Sequence, residues 1–220
     1  MRVRNMVLSG DKHRIVIVGA GDHAKVVLEA LRAMNVFDVV GLTDPDAALQ
    51  HLLGAPVLGG DEILPDILAK GVSSAVVAIG SNRLRERVGQ NLLAMSFTLP
   101  AVVHPSAVVS PSAQIGKGAV VMAGAMIGPL SIIGDLAIIN TGAIVEHDNW
   151  IGQAAHVGPG VALAGRVRVG NRALVGVGSA VRPDISIGDD CTVGAGSAVV
   201  ADAPPGVTVA GTPARRLANK

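Results

Sequence analysis

Residues 139–163 read INTGAIVEHDNWIGQAAHVGPGVAL and carry an aliphatic residue at every sixth position, beginning at Ile139. The same spacing runs without interruption from residue 103 to residue 199. Neither a helix of period 3.6 nor a strand of period 2 keeps a six-residue spacing over such a length, whereas a parallel β-helix does. With three hexapeptides per coil, we expect eighteen residues per turn.

The residues around each aliphatic anchor are also patterned. The residue four positions after the anchor is usually Ala, Ser or Cys, and the residue directly after it is often Gly. One large and one small inward residue in every six fit a narrow triangular prism, and Gly or a polar residue can turn its corners. Most positions of such a regular repeat serve only as a scaffold. We therefore expect function where the pattern is broken.

Composition narrows the class of protein. The chain has 220 residues, of which 50% are hydrophobic, and a net charge of +1, which suits one or two globular domains. The low charge and an aromatic content of 1% argue against nucleic acid as a partner. Residues 1–11 lack the apolar stretch of a signal peptide, and no apolar run is long enough to span a membrane, so we expect a cytoplasmic protein. Cys191, the only cysteine, falls on the small inward register and is predicted to be a buried, unreactive thiol.

The first part of the chain alternates between strand and helix patterns. Residues 14–18 (RIVIV) precede the turn GAGDHA at 19–24 and an amphipathic stretch, which together predict a strand, a glycine turn and a helix. A second strand pattern, residues 37–43, ends at Asp44, about twenty residues after the turn. A third, residues 74–79, ends in the polar turn at 80–83. This order predicts a small Rossmann-like parallel sheet that binds ligands at the carboxyl ends of its strands.

The motif GAGDHA has the form G-x-G-x-x-A, which by itself is also compatible with a tight turn that binds nothing. The free N–H groups of the following helix would favour a phosphate, and Asp44 stands where an acidic residue could bind a ribose or a base. A nicotinamide dinucleotide fits the same fingerprint. About 90 residues are too few for the two mononucleotide halves that a dinucleotide spans, so we expect a single nucleoside diphosphate.

The hexapeptide pattern is broken at residues 146–150, which read EHDNW and include three ionisable residues and the only tryptophan. A histidine beside carboxylates, here His147, is the arrangement that a general base needs. His156 lies nine residues later, half a coil away, so the two histidines could meet only across a subunit interface, which suggests a homotrimer. Gly165 lies eighteen residues after His147, directly one coil above it, where its bare backbone could admit a thioester and stabilise an oxyanion.

Four segments together resemble one family of enzymes: residues 15–27 (IVIVGAGDHAKVV), 140–152 (NTGAIVEHDNWIG), 156–165 (HVGPGVALAG) and 209–217 (VAGTPARRL). They are similar to the left-handed β-helix, hexapeptide-repeat nucleotide-sugar N-acetyltransferases of the bacillosamine and perosamine pathways, with their sialic-acid O-acetyltransferase relatives. The resemblance implies a homotrimer with active sites between subunits, acetyl-CoA between neighbouring coils and no metal. It also implies that the nucleotide-linked amino sugar is held by the N-terminal domain.

The resemblance also implies roles for particular residues. His147 matches the proposed catalytic base, and Asp148 matches the acidic residue that raises its basicity. The implied acetyl-CoA contacts are His156, Gly165, Val177, Gly211, Pro213 and Arg215. The implied nucleotide-sugar contacts are Gly19, Gly21, Asp22, His23, Asp44, Gly80, Ser81, Asn82 and Arg83.

The predicted organisation has four segments. Residues 1–13 form an N-terminal extension, expected to be flexible, and residues 14–100 form the α/β domain that binds the nucleotide sugar. Residues 101–202 form the left-handed β-helix of the acetyltransferase, and residues 203–220 form a C-terminal tail that contacts CoA.

The resemblance alone implies that the substrate is a 4-amino-4,6-dideoxy sugar of the GDP-perosamine or UDP-linked type. We expect its 4-amino group to attack acetyl-CoA directly, because the only cysteine is predicted to be buried. Thr43-Asp44-Pro45 stands where bacillosamine-type enzymes tend to have paired acids, so the base, uracil or guanine, stays open. The alternatives are an O-acetyltransferase and a non-catalytic sugar-nucleotide-binding protein. A γ-type carbonic anhydrase would need three histidines converging on zinc, and His104 lies at the wrong end of the repeat.

Overall fold

The computed structural model describes residues 12–217, and the chain falls into two compact units that divide between Val102 and Val103. The predicted N-terminal extension, residues 1–13, lies outside the described residues except for Lys12 and His13. His13 is already the first residue of the first strand, β1 (His13–Val18).

The first unit is the predicted small parallel sheet with helices. After β1 come α1 (Asp22–Met34), β2 (Phe37–Thr43), β3 (His51–Leu52), β4 (Ala55–Pro56), a 3-10 turn (Asp61–Ile63), α2 (Leu64–Ala69), β5 (Ser74–Val77) and α3 (Asn82–Ala94). Within the described residues, β1, β2 and β5 form a parallel sheet in the order β2-β1-β5, while β3 and β4 form an antiparallel pair. The carboxyl ends of the three parallel strands therefore lie side by side, with β1 in the middle.

Burial explains why the central strand and α1 form where they do. Residues 15–18 of β1 are at most 1% exposed, as expected for a run of β-branched residues in a parallel sheet covered on both faces. The apolar residues of α1 recur at helical spacing, and Ala24, Val27, Leu28 and Leu31 are buried. Asn35 ends the helix in a left-handed conformation, with φ of 55°.

The second unit is a parallel β-solenoid. Between residues 102 and 199, each hexapeptide contributes a strand of two residues, and we number these strands β6 to β22. In chain order they are Val102–Val103, Val108–Val109, Gln114–Ile115, Val120–Val121, Met126–Ile127, Ile132–Ile133, Ile138–Ile139, Ile144–Val145, Trp150–Ile151, His156–Val157, Ala162–Leu163, Arg168–Val169, Leu174–Val175, Ala180–Val181, Ser186–Ile187, Thr192–Val193 and Ala198–Val199.

The coil length is the predicted one. Each strand from β6 to β19 pairs in parallel with the strand eighteen residues further on, for example Met126 with Ile144 and Ile138 with His156. Every third strand therefore belongs to the same face, and the described strands form faces of six, five and eight strands. The predicted fold class, an α/β domain followed by a β-helix, is confirmed.

The interior of the prism is built from the predicted anchors and small residues. Val145, Ile151, Ala143 and Ala155 are at most 1% exposed and belong to one continuous apolar core. Cys191 is fully buried, as predicted, and its burial raises the pKa of the thiol. Four inward positions carry larger residues than the pattern predicts: Asn149, Val161, Val167 and Ile185.

Residues 203–217, predicted as a tail, add to the solenoid. β23 (Thr208–Gly211) pairs in parallel with Thr192–Val193, and β24 (Ala214–Arg216) folds back against β23 in antiparallel orientation. Both strands extend the eight-stranded face, so the segment GTPAR is held in a hairpin at its end. Among residues 12–217, no helix has the length and apolar character that crossing a membrane requires.

Candidate active site

The imidazole of His147 is bonded to the neighbouring carboxylate. His147 Nδ1 lies 2.8 Å from Asp148 Oδ2, and both side chains are close to half exposed, at 46% and 45%. An ionised carboxylate only accepts hydrogen bonds, so Nδ1 carries the proton and Nε2 is left with a lone pair. The pair therefore has the arrangement that a general base requires.

Asp148 turns the corner of the coil in a left-handed conformation, with φ of 58°. The same corner one and two coils further on is turned by Arg166 and Asp184, with φ of 61° and 62°. Arg166 makes a bidentate ion pair with Asp184, at 2.6 and 2.9 Å. The hydrogen bonds of this pair raise the pKa of Arg166 and lower that of Asp184. Asp148, by contrast, directs its carboxylate to His147.

Gly165 packs against the imidazole of His147. A Cβ atom at Gly165 would lie 2.5 Å from Cε1 and 2.6 Å from Nε2 of His147, so the ring lies directly over the glycine. The backbone N–H of Arg166 donates to the carbonyl of His147 at 3.0 Å and holds the two coils together at this point. The bare backbone at Gly165 therefore makes room for the imidazole of His147.

A buried asparagine, which the sequence analysis missed, supports the corner from inside the prism. Asn149 is 1% exposed, and its Nδ2 donates to the carbonyls of Glu146 at 2.6 Å and Ala164 at 3.0 Å. Its Oδ1 accepts the N–H of Val167 at 3.0 Å. The available signal was an amide on an inward register of the repeat, where the other residues are small or aliphatic.

His156 lies on another face of the prism, as its half-coil spacing predicts. His147 follows a strand of the six-stranded face, whereas His156 belongs to the eight-stranded face. His156 Nε2 lies 3.0 Å from Asn140 Nδ2, and Asn140 Oδ1 accepts the N–H of Thr141 at 2.8 Å. This second bond orients the amide so that Nδ2 donates to Nε2, which places the proton of His156 on Nδ1. Asn140 is a further residue of this region that the sequence analysis did not single out.

Apart from Gly165, which follows a strand of the six-stranded face, the predicted CoA contacts lie along the same face as His156. Val177, 53% exposed, follows the strand Leu174–Val175, and Gly211, Pro213 and Arg215 belong to the β23–β24 hairpin. The order of strands from His156 to the hairpin is continuous in the eight-stranded face. Three strand spacings separate His156 from β23 and four separate it from β24, about 14 and 19 Å at the usual distance between neighbouring strands.

The first unit has a cavity of about 590 Å³ at the carboxyl ends of its parallel strands. Of the predicted nucleotide-sugar residues, those that line it are Gly19, Gly21, Asp22, His23, Asp44 and Gly80. Ser81, Asn82 and Arg83 do not line it: Ser81 precedes α3, and Asn82 Oδ1 accepts a hydrogen bond from Arg85 Nη2 at 2.8 Å. Lining residues that the sequence analysis missed are Asp61 and one face of α3, namely Leu84, Arg87, Val88 and Asn91.

Asp44 joins the end of β2 to the glycine turn. Its Oδ2 accepts the N–H of Ala20 at 2.8 Å and its Oδ1 accepts the N–H of Asp46 at 3.0 Å. Next to it, the buried hydroxyl of Thr43 donates to Asp61 Oδ1 at 2.8 Å. These bonds hold two carboxylates in place at the β2 side of the cavity.

The two glycines of the turn have different roles. Gly19 has φ of 101°, and a Cβ there would lie 3.0 Å from the side chain of Ile79, so the turn needs glycine for its own packing. Gly21 has no atom within 4 Å of such a Cβ, so it is open towards the cavity.

A buried cation stands behind the cavity wall. Arg85 is fully buried, and its Nη1 donates to the carbonyls of Ile79 and Gly80, both at 3.0 Å. Burial lowers the pKa of Arg85 to about 10, so it stays charged at neutral pH. Burial, with a smaller contribution from Arg85, lowers the pKa of His23 to about 4. His23 is therefore neutral at neutral pH. Within residues 12–217, no three side chains of His, Cys, Asp or Glu are grouped as metal ligands.

Comparisons with known proteins agree with this architecture. Residues 14–92 match the family model of the PglD N-terminal domain. The chain is 48% identical to PerB of Caulobacter crescentus, solved in complex with CoA and GDP-perosamine, over 97% of this chain and all of that one, with a TM-score of 0.90. It is 38% identical to the acetyltransferase domain of PglB of Neisseria gonorrhoeae, solved in complex with acetyl coenzyme A, over 94% of this chain and all of that one, with a TM-score of 0.89.

A curated relative, the UDP-N-acetylbacillosamine N-acetyltransferase of Bacillus subtilis, is 38% identical over 111 residues, 47% of this chain. The match spans about half the length of that relative, 49%. The match to PerB, by contrast, covers the whole of that protein together with the solenoid and the α/β unit described above. The chain therefore belongs to the hexapeptide-repeat nucleotide-sugar N-acetyltransferases.

Proposed function

We propose that this protein transfers the acetyl group of acetyl-CoA to the 4-amino group of a nucleotide-linked 4-amino-4,6-dideoxy sugar. The observation that carries the proposal is the His147–Asp148 pair, with Nδ1 bonded to the carboxylate and the ring seated on Gly165. The likeness to PerB, which was solved with CoA and GDP-perosamine, supports the choice of both substrates. The cavity at the ends of β1, β2 and β5 is where the nucleotide would bind.

His147 would act as the general base. An amine is partly protonated at neutral pH and must lose a proton before or during its attack on a thioester. The amine nitrogen forms a bond to the acetyl carbonyl carbon, the carbon–sulfur bond breaks, and CoA leaves as a thiolate. The proton of the amine passes to His147 Nε2 and then to the thiolate, while Asp148 stabilises the imidazolium between the two steps.

Two groups would stabilise the negative charge that develops on the carbonyl oxygen. The N–H of Gly165 donates to no acceptor within residues 12–217, and it lies next to the ring of His147. His156 would be the second group, since it lies on the eight-stranded face and its ring is oriented by Asn140 at 3.0 Å. Fixed donors of this kind stabilise the transition state without needing to reorganise.

We also propose that the active site forms between two subunits of a homotrimer. Acetyl-CoA would lie along the row from His156 through Val177 to Gly211, Pro213 and Arg215, all on the eight-stranded face. His147 follows a strand of the six-stranded face of the same prism. Side-by-side packing of identical prisms would bring the two faces together. The cytoplasmic location expected from the sequence remains a prediction.

The proposal can be tested by measuring thiol release from acetyl-CoA with a panel of acceptor substrates. The panel contains UDP-, GDP- and dTDP-linked 4-amino sugars and their 4-hydroxy counterparts. Release with an amino sugar, lost by about 10²–10⁴-fold in His147→Ala, supports the N-acetyltransferase with a true base and identifies the nucleotide. The matched control is His51→Ala, which changes an exposed histidine of β3 and should leave the rate unchanged.

The other outcomes are distinct. Release only with hydroxyl sugars would show an O-acetyltransferase, and silence across the panel would contradict an enzyme of this class. A small decrease in the rate of thiol release in His147→Ala would show that the amine binds already neutral and that His147 only positions it.

A further inference from the structure

We propose that Asn149 is a positioning residue for acetyl transfer. Its buried amide holds the peptide bond between Ala164 and Gly165 in the orientation that lets the Gly165 N–H meet the carbonyl oxygen of the acetyl group. The inference rests on the proposed function, in which that N–H stabilises the developing negative charge. It gives a role in the reaction rate to a side chain that lies inside the prism.

The hydrogen bond from Asn149 determines how this peptide is oriented. Asn149 is 1% exposed, and its Nδ2 donates to the carbonyl of Ala164 at 3.0 Å. Among residues 12–217, Nδ2 is the one donor to that oxygen. The C=O and N–H groups of a planar trans peptide point in opposite directions. The carbonyl is directed to the inside of the prism, so the N–H of Gly165 is directed to the outside, where the half-exposed imidazole of His147 lies.

Glycine makes this peptide freer to turn over than its neighbours along the same corner. Position 165 has to lack a side chain, because the ring of His147 packs on it, and a glycine adopts either sign of φ without steric cost. The equivalent residues one coil before His147 and one coil after Gly165 are Pro129 and Pro183, whose rings restrict φ. Gly165 lacks this restraint, so a bond to the carbonyl before it has to supply one.

The amide of Asn149 favours one of the two orientations of the peptide. The N–H of Gly165, a buried residue, has no acceptor within residues 12–217, although nearly all buried backbone N–H groups in proteins are paired. If the peptide turned over, the N–H would face Nδ2 of Asn149, which is itself a donor. Nδ2 cannot exchange places with Oδ1, because Oδ1 accepts the N–H of Val167 at 3.0 Å. The amide therefore keeps the unpaired N–H outside, available to a substrate.

Two buried serines on the same inward register show which substitution preserves these bonds. The hydroxyls of Ser131 and Ser179 each donate to the carbonyl fifteen residues further on, at 2.7 and 3.0 Å. Each also accepts the N–H eighteen residues further on, at 3.2 Å. Asn149 makes the same two bonds, to the carbonyl of Ala164 and from the N–H of Val167. Asn149→Ser should therefore keep both.

Steady-state kinetics of thiol release, measured well below the melting temperature of every variant, tests the role of Asn149. Asn149→Ala should lower kcat by about ten-fold or more, because the donor to the carbonyl oxygen is no longer fixed. The KM for acetyl-CoA should stay within about two-fold of the wild type, since this donor acts on charge that develops in the transition state. The pH profile of kcat should keep its shape, because the bond between His147 and Asp148 is retained.

Asn149→Ser should restore kcat to within about three-fold of the wild type, because it keeps a donor to the Ala164 carbonyl. The matched control is Ser179→Ala, which removes the same pair of buried bonds from a corner that does not carry His147. It should keep the wild-type kcat. Every variant should keep the circular dichroism spectrum and the oligomeric state of the wild type.

Three results would overturn the positioning role alone. They are a wild-type kcat in Asn149→Ala, a rate in Asn149→Ser as low as in Asn149→Ala, and an equal loss of kcat in Ser179→Ala. A changed pH profile in Asn149→Ala would show that the amide acts through His147 and would also overturn it. A wild-type protein that releases no thiol with any acceptor would overturn the proposed function as well.

Discussion

The imidazole of His147 lies over Gly165, so close that a Cβ at Gly165 would come within 2.5 Å of Cε1. The two residues belong to neighbouring coils, and the N–H of Arg166 donates to the carbonyl of His147. A side chain at position 165 and the imidazole therefore compete for the same space.

Gly165→Ala should lower kcat by at least ten-fold, because the new methyl group displaces the ring from its seat. The double variant Gly165→Ala/His147→Ala separates this effect from a direct effect on acetyl-CoA. If the alanine acts through His147, the double variant is no slower than His147→Ala. A further loss in the double variant would show that Gly165 contacts the substrates independently.

Asp148→Asn should lower kcat by about 10- to 100-fold, because the charge-assisted bond to Nδ1 and the stabilisation of the imidazolium are lost. Steady-state kinetics with saturating acetyl-CoA measures the loss. Asp184→Asn is the matched control: it turns the same corner two coils further on, but it pairs with Arg166 and not with a histidine. Equal effects of the two substitutions would contradict the role of Asp148.

Asn149→Ala should lower the free energy of unfolding by about 2–4 kcal/mol, since it leaves the carbonyl of Ala164 and the N–H of Val167 without a partner and the carbonyl of Glu146 with the Ser131 hydroxyl alone. Chemical denaturation of the full chain measures the loss. Asn171→Ala is a suitable comparison, because this half-buried amide also bridges two coils, accepting the N–H of Gln153. Asn171→Ala should lower the free energy of unfolding by less than Asn149→Ala does, because water can reach the backbone groups that Asn171 bonded. An Asn149→Ala variant as stable as the wild type would show that the corner does not depend on the amide.

His23 makes stability depend on pH. Its pKa is about 4 in the folded protein and near 6.5 when unfolded, so the unfolded chain binds the extra proton between these values. Stability therefore rises with pH through this window, and lowering the pH from 7.5 to 5 should cost about 2 kcal/mol at this residue. In His23→Asn, the free energy of unfolding should depend less on pH between 5 and 7.5 than in the wild type. In His51→Asn, which changes an exposed histidine, the pH dependence should be that of the wild type. An unchanged slope in His23→Asn would contradict burial of the imidazole.

Mixed oligomers test whether the active site is shared between subunits. His147→Ala and His156→Ala place their defects on different faces of the prism, so some interfaces of a mixed trimer contain both wild-type histidines. Co-refolding equal amounts of the two inactive variants should restore about a quarter of the wild-type rate. Each variant refolded alone provides the control. No recovery in the mixture would show that both histidines act within one chain.

The solenoid could be predicted almost completely from the sequence. The six-residue spacing of residues 103–199 determines the strands, the eighteen-residue coil and the burial of Cys191, because each inward position repeats one local rule. For the same reason, the stacking of Gly165 on His147 and the placement of His147 and His156 on different faces followed from counting residues. The strand–turn–helix order of residues 13–34 could also be predicted, because it depends on short motifs of neighbouring residues.

What escaped the sequence analysis depends on contacts between distant segments. Asn149 looked like one more residue of a polar corner, and only the packed coil shows that its amide joins Glu146, Ala164 and Val167. The face of α3 with Arg87 and the placement of Asp61 beside Thr43 have no short motif. The sequence pointed instead to the polar turn at 80–83, of which Gly80 alone lines the cavity.

The sequence by itself therefore determined the repeat, the two-unit organisation and the family, because periodicity and short motifs express local geometry. The tertiary structure decided which side chains meet at each site. A hydrogen bond between residues far apart depends on backbone placement to within tenths of an ångström, which no spacing along the chain specifies.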